Sequence, residues 1–125
     1  RLYLKAKGWD KVAAVTDSIM AAGLPDGNYK LGVNDVIVED GDAKLPNGVR
    51  AGSTLTLIQA LRNLVQWTGS EPEKAAELMS LNPARLMGWE KKGALAPGMD
   101  ADLLLADRSL TVLATFAGGR EVYRR

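Results

Sequence analysis

The chain has 125 residues and a formal net charge of +1, with 46% hydrophobic and 25% charged residues. This length suits one domain with a single core, while the near-neutral charge and scattered basic residues argue against a nucleic-acid partner. No apolar run reaches the ~20 residues of a membrane span, and the absence of cysteine excludes disulfides and fits a reducing, cytoplasmic compartment.

The first predicted elements are a helix end and a buried strand. Residues 1–8 have the character of a helix that ends at Gly8, because glycine readily adopts the left-handed conformation that follows helices. Residues 11–17 form an almost wholly apolar run between polar residues, which is typical of a parallel strand buried on both faces. A helix, a loop and such a strand, which ends at Asp17, indicate an α/β fold.

Turns and then helices are predicted for the middle of the chain. Residues 28–50 contain short extended segments between turn signals and are predicted to form an antiparallel hairpin excursion. The apolar residues that follow recur with a helical period. Ser70 and Glu73 have capping-box spacing, and Asn82 is predicted to be the N-cap of the last helix. Three helices are predicted, at residues 56–67, 71–79 and 82–87. One apolar stripe is predicted to lie in the core; it consists of Leu57, Ile58, Leu61, Leu64 and Val65.

After Gly93 the pattern is that of strands. Three are predicted, at residues 102–106, 112–116 and 121–123, with Gly118-Gly119 as a hairpin turn. This short tail cannot bury both faces of a sheet, so it is expected to complete a sheet begun elsewhere. Asp100 and Asp102 precede a strand at i, i+2 spacing and are interpreted as turn and edge residues without a catalytic role.

Several short blocks of the chain form a recognisable set. They include Val15-Thr16-Asp17-Ser18, Arg50-Ala51-Gly52-Ser53-Thr54-Leu55-Thr56, Leu81-Asn82-Pro83-Ala84-Arg85 and Gly93-Ala94-Leu95-Ala96-Pro97-Gly98. With these blocks, in this order and separation, the chain resembles the N-acetylglucosamine-6-phosphate deacetylases of the amidohydrolase superfamily. Two residues depart from the family pattern: Ser18 stands where alanine is usual, and Arg50 stands where leucine is usual.

The resemblance implies the C-terminal part of a metal-dependent-hydrolase (β/α)8 TIM barrel, with strands of a small β-sandwich domain. Residues 1–92 would belong to the catalytic barrel, with residues 11–17 as its last strand. Residues 93–125 would be strands of the composite β-domain. Active sites of such barrels lie at the C-terminal ends of the strands, which is where the strand pattern alone places Asp17.

The resemblance also implies the residues of the site. It assigns Asp17 as the catalytic acid/base and Arg50, Ala51 and Gly52 as substrate-binding residues that act largely through the main chain. It implies a divalent metal, zinc first with iron, manganese or cobalt as alternatives, bound by a glutamate and two histidines outside this chain, which itself has no histidine. Spacing alone leaves plainer alternatives open: a cap or turn role for Asp17, and a loop role for Gly52.

The implied reaction is hydrolysis of the N-acetyl group of N-acetylglucosamine-6-phosphate. Alternatives are another amidohydrolase that acts on an acylamino acid or a cyclic amide, or an inactive fragment that serves only as a scaffold piece. A His-x-His pair in upstream sequence would favour the other amidohydrolases. The expected partners are the amino-sugar phosphate, the rest of the barrel in the same or another chain, and a second copy of the chain, since family members are often dimers.

Overall fold

The structure is a computed structural model that describes residues 1–125. It contains four helices and six strands, and the strands form two separate three-stranded antiparallel sheets. The helices are α1 (Leu2–Lys7), α2 (Leu57–Thr68), α3 (Pro72–Glu77) and α4 (Leu81–Leu86). The strands are β1 (Gly27–Leu31), β2 (Asn34–Glu39), β3 (Asp42–Lys44), β4 (Leu103–Ala106), β5 (Val112–Ala117) and β6 (Arg120–Arg124).

Two compact units make up the chain. Residues 15–60 form one unit, and residues 1–14 with residues 61–125 form the other. This division differs from the predicted boundary after residue 92, and the predicted domain assignment stays a prediction. No helix of the chain is both long enough and apolar enough to cross a membrane.

The sheet β1–β2–β3 confirms the antiparallel strand pairing predicted within residues 28–50, whereas its place as an excursion from a barrel stays a prediction. Val36 and Val38 on β2 are buried, whereas their neighbour Ile37 is partly exposed, because alternate side chains of a strand point to opposite faces. The buried face forms one hydrophobic cluster with residues outside the sheet. Its buried members are Ile19, Ala21, Val36, Val38, Ala43 and Ala51.

The run 11–17, which was predicted to be a strand buried on both faces, belongs to neither sheet. Lys11 closes a 3-10 turn, Trp9–Lys11, and Val15 is 80% exposed. A parallel strand requires neighbouring strands that bind its N–H and C=O groups, and all six strands of this chain pair in other combinations. Its apolar character alone therefore does not produce a strand in this chain.

The predicted helices are present, but two of the predicted caps are wrong. Helix α3 begins at Pro72 after Glu71, without a side-chain cap. Asn82 lies inside α4, which begins at Leu81, so it is not the N-cap. Its buried side chain forms hydrogen bonds elsewhere in the chain. Its Nδ2 donates to the main-chain oxygens of Trp9 and Val12, at 2.6 and 2.7 Å. The side chain that was predicted to cap the helix thus binds main-chain carbonyl groups that are distant in sequence.

The predicted core stripe on α2 is only partly covered. Ala60 is the one buried residue of the helix, and Leu57 is 63% exposed. No other helix or strand packs extensively against α2, so the amphipathic pattern is present without a complete partner surface. The expectation that the stripe is core is therefore not met in this chain.

The second sheet, β4–β5–β6, ends in the predicted hairpin at Gly118-Gly119. Lys92 Nζ contacts Asp100 at 3.0 Å and Asp102 at 2.5 Å, and Asp102 also accepts a hydrogen bond from Gly118 N. The hydrogen bond to Asp102, followed by that to Asp100, raises the pKa of Lys92, and the bond from Lys92 lowers the pKa of Asp102. These contacts agree with a turn and edge role for the two aspartates.

Candidate active site

Asp17 lies where the run 12–17 ends and has an unusual backbone conformation. Its φ is +52°, in the left-handed region that residues other than glycine seldom adopt, and the residue is exposed. Such a conformation persists only where surrounding contacts hold it, and it is enriched at functional sites. Asp17 thus combines an exposed side chain with a constrained backbone.

The main chain around Asp17 is bound to Ser53. Ser53 N donates to Asp17 O at 2.8 Å, and Ile19 N donates to Ser53 O at 2.9 Å, which makes a short parallel pairing between the two segments. The hydroxyl Oγ of Ser53 donates to Thr16 O at 2.5 Å. No local sequence signal indicates this bond, because Ser53 and Thr16 are 37 residues apart.

Gly52 is packed directly against Asp17. Its φ is +72°, and a Cβ placed on it would lie 2.9 Å from Asp17 O, 2.8 Å from Ile19 Cγ2 and 3.9 Å from Asp17 Oδ2. Contacts near 2.9 Å are too short for a carbon atom, so only glycine fits here. The structure thus shows why the chain needs a glycine at this position before any ligand is considered.

Ala51 and Arg50 differ in how they meet their surroundings. Ala51 is 5% exposed, its side chain lies in the hydrophobic cluster, and its N–H donates to Ala43 O, so its side chain faces protein. The exposed guanidinium of Arg50 contacts Asp42 through Nε and Nη2, each at 3.2 Å. Of the two residues, only Arg50 presents a side chain to solvent.

Asp42 joins two cations on this surface. Lys44 Nζ lies 3.1 Å from Asp42 Oδ2, and Arg50 binds the same carboxylate. The hydrogen bond from Lys44, with the further bond and charge of Arg50, holds the pKa of Asp42 below its ordinary value against an opposing effect of desolvation. Asp42 is therefore ionised at neutral pH and pairs with both cations.

Asp42 and Arg50 border an open depression of about 430 Å³. Its other lining residues are 40, 41 and 52–55. Gly52, which lines the depression, is also the residue that touches Asp17. The structure therefore brings Asp17, Gly52 and Arg50 into one surface region, whereas the side chain of Ala51 points into the core.

The residues of this chain do not make up a metal centre by themselves. No group of three or more histidine, cysteine, aspartate or glutamate side chains lies close enough to hold an ion, and the chain has no histidine. A metal site of the usual kind needs three or four such ligands. Asp17 is at most one contributor to such a site.

Comparison with known proteins gives a consistent picture. A model of the amidohydrolase family matches residues 14–122. The N-acetylglucosamine-6-phosphate deacetylase of Lysinibacillus sphaericus is 39% identical over 93% of this chain. The N-acetylgalactosamine-6-phosphate deacetylase of Escherichia coli O157:H7 is 37% identical over 89% of it. The chain spans about 30% of the length of each of these two relatives.

Solved structures of similar proteins superpose on nearly the whole chain. The N-acetylglucosamine-6-phosphate deacetylase of Thermotoga maritima has a TM-score of 0.89 and 40% identity, over 99% of this chain and 34% of its own. A variant of the Mycobacterium smegmatis enzyme, in complex with N-acetyl-D-glucosamine-6-phosphate, has a TM-score of 0.85 and 34% identity. The match covers 95% of this chain and 32% of that enzyme's chain. Both combine a TIM barrel with a β-sandwich, so the predicted fold class is confirmed.

Proposed function

This chain belongs to the amidohydrolase family, and on that basis we propose that it supplies the C-terminal part of a metal-dependent deacetylase barrel. The proposed reaction converts N-acetylglucosamine-6-phosphate and water into glucosamine-6-phosphate and acetate. The names of the relatives support this substrate class, as does the complex of one structural neighbour with N-acetyl-D-glucosamine-6-phosphate. We place the reaction in the cytoplasm, because a chain without cysteine suits a reducing compartment.

The observation that carries the proposal is the exposed carboxylate of Asp17 on a fixed main chain. Hydrolysis of an amide requires a base that takes a proton from the attacking water and an acid that protonates the departing amine. One carboxylate within hydrogen-bond reach of both groups performs the two transfers in sequence. The backbone contacts of Asp17 with Gly52 and Ser53 keep such a group at one place beside the depression.

Membership of the family implies a divalent metal. We propose zinc as this ion, with iron, manganese or cobalt as alternatives, and we place its ligands outside residues 1–125. The remainder of the barrel is then a required partner, and a second copy of the chain is a further proposed partner.

Arg50, Ala51 and Gly52 are the proposed substrate-binding residues. Ala51 is buried and Gly52 has no side chain, so these two residues would contact the sugar phosphate through the main chain. The guanidinium of Arg50 is exposed at the depression, but it is already engaged by Asp42. Arg50, too, would therefore contact the substrate mainly through its main chain.

A second candidate substrate is the epimer N-acetylgalactosamine-6-phosphate, after which the E. coli relative is named. The two sugars share the N-acetyl group and the phosphate and differ only in the orientation of one hydroxyl group. Parallel measurement of kcat/KM for both substrates decides between them, and the larger value identifies the physiological class.

The test of the acid/base assignment is Asp17→Asn in the metal-loaded protein with its complete barrel. We expect the release of acetate to fall by about 10²–10⁴-fold, the range that one general acid/base contributes. Asp35→Asn is the matched control, because Asp35 is an exposed carboxylate that pairs with Lys30 in the β1–β2 hairpin. Near-normal deacetylation by Asp17→Asn with the metal still bound would contradict the assignment.

A further inference from the structure

Ser53 contacts the chain on both sides of Asp17. Its main-chain N–H binds Asp17 O, its main-chain oxygen binds Ile19 N, and its hydroxyl binds Thr16 O. These three bonds bracket Asp17 within four residues of sequence. From this arrangement we propose that Ser53 is a positioning residue for the catalytic carboxylate, an inference that rests on the proposed function of Asp17.

The bonds fix the direction in which the Asp17 side chain leaves the main chain. The carbonyl oxygens of Thr16 and Asp17 belong to the peptide groups on either side of the Asp17 Cα, so binding both of them to Ser53 restrains its φ and ψ. Restraint is needed here, because the left-handed conformation of a residue with a Cβ is intrinsically unfavourable. The carboxylate therefore depends on Ser53 for its orientation.

The hydroxyl of Ser53 makes a contribution that its main chain cannot replace. Its Oγ donates to Thr16 O at 2.5 Å and accepts from Leu55 N at 3.2 Å, so the group both donates and accepts a hydrogen bond. Alanine at this position would leave the main-chain bonds in place and remove both hydroxyl bonds. Threonine would keep the hydroxyl.

The experiment compares Ser53→Ala and Ser53→Thr in the metal-loaded protein with its complete barrel. We expect Ser53→Ala to lower kcat by about 10–100-fold, because small displacements of a catalytic group have effects of this size. KM for N-acetylglucosamine-6-phosphate should change little, since the substrate-binding residues keep their places. Ser53→Thr should restore most of kcat, and the melting temperature of each variant shows whether the fold is intact.

Ser18→Ala is the matched control. Ser18 directly follows Asp17, and its Oγ donates to Leu55 O at 2.5 Å, so the substitution removes the same atoms beside the same residue. The bond from Ser18 does not reach Thr16 O or Asp17 O. We expect kcat of Ser18→Ala to stay within about twofold of the parent, and an equal loss in both variants would show a general packing effect and overturn the proposal.

A crystal structure of Ser53→Ala separates this inference from the proposed function. The inference predicts that Asp17 leaves its left-handed φ or that its carboxylate points in a different direction from that in the parent. An unchanged Asp17 overturns the inference, whatever the activity. If instead Asp17 moves in Ser53→Ala while Asp17→Asn retains deacetylation, the positioning contact stands and the catalytic assignment of Asp17 fails.

Discussion

Asp17 and Gly52 lie so close together that a Cβ on Gly52 would be 2.9 Å from the main-chain oxygen of Asp17. The two residues are far apart in sequence, and their contact is set by the parallel pairing between Ser18 and Ser53. An atom added at Gly52 must therefore displace the backbone of the proposed acid/base. This relationship makes Gly52 the most sensitive position of the site to a small substitution.

Gly52→Ala should lower the free energy of unfolding by about 2–5 kcal/mol. About 1–2 kcal/mol comes from placing alanine in a left-handed conformation, and about 1–3 kcal/mol comes from overpacking against Asp17 and Ile19. Gly48→Ala is the control, because Gly48 has a similar φ of +83° and a Cβ added there would meet nothing within 4 Å. Denaturant unfolding of the two variants measures the difference, and equal losses would show that the close contact has no energetic consequence.

Arg50→Leu should change KM for N-acetylglucosamine-6-phosphate by less than about fivefold. The guanidinium is already engaged by Asp42, and an exposed ion pair contributes ~0–1 kcal/mol. The family that the chain resembles usually has leucine at the position of Arg50. The main-chain contacts proposed for residues 50–52 should therefore survive the substitution. Steady-state kinetics measures the effect. A rise in KM of about tenfold or more would show that the Arg50 side chain, rather than the main chain, holds the phosphate.

The Asp42 cluster should lose its stabilising effect in acid. The folded-state pKa of Asp42 lies below its ordinary value, first because of Lys44 and then because of Arg50. A lowered pKa means that the contribution is present above the unfolded-state value, about 4, and is lost as pH falls through the folded-state value. Asp42→Asn should therefore destabilise the protein at pH 7 and have little effect well below pH 4.

Unfolding midpoints of the parent and Asp42→Asn across this pH range test the prediction. The difference at pH 7 should also shrink in 1 M salt, because exposed charges are screened over a few ångströms at that concentration. A difference between the two proteins that is independent of pH would show that Asp42 acts through packing and not through its charge.

Asn82→Ala should lower the free energy of unfolding by about 1–3 kcal/mol. It removes two hydrogen bonds to the carbonyls of Trp9 and Val12, each contributing about 0.5–1.5 kcal/mol. Asn47→Ala is the control, since the exposed Asn47 makes only a local bond to Val49 N in a turn. Thermal and denaturant unfolding compare the stabilities of the two variants. A loss of stability in Asn82→Ala no larger than that in Asn47→Ala would show that the hydrogen bonds of Asn82 to residues 9 and 12 do not stabilise the fold.

The types of most elements could be predicted from the sequence. The helical period from Thr56 predicts α2, the turn signals in residues 28–50 predict the antiparallel sheet, and Gly118-Gly119 predicts the last hairpin. Each signal depends on spacings of two to four residues, so near neighbours in the chain are enough to supply it. The motif blocks in turn indicated the family that the comparisons confirm.

The state of residues 11–17 and of the α2 stripe could not be predicted in this way. Val15 has the apolar character of a buried strand residue and Leu57 that of a core helix residue, yet both are mostly exposed. Apolar character states what a segment can bury, but burial requires a second surface. Whether that surface exists is a property of the assembled structure and not of the segment.

By itself, the sequence determined where helices and turns form, which family the chain resembles and which acid is the candidate catalyst. Only the tertiary structure decided that Gly52 and Ser53 contact Asp17 and that Arg50 pairs with Asp42. It also decided that Asn82 binds a distant main-chain carbonyl group and does not cap its own helix. The physical reason is the distance along the chain over which each kind of interaction acts. Periodicity and turn chemistry act between near neighbours in the chain, whereas the bond from Ser53 to Thr16 joins residues 37 positions apart and exists only once the chain has folded.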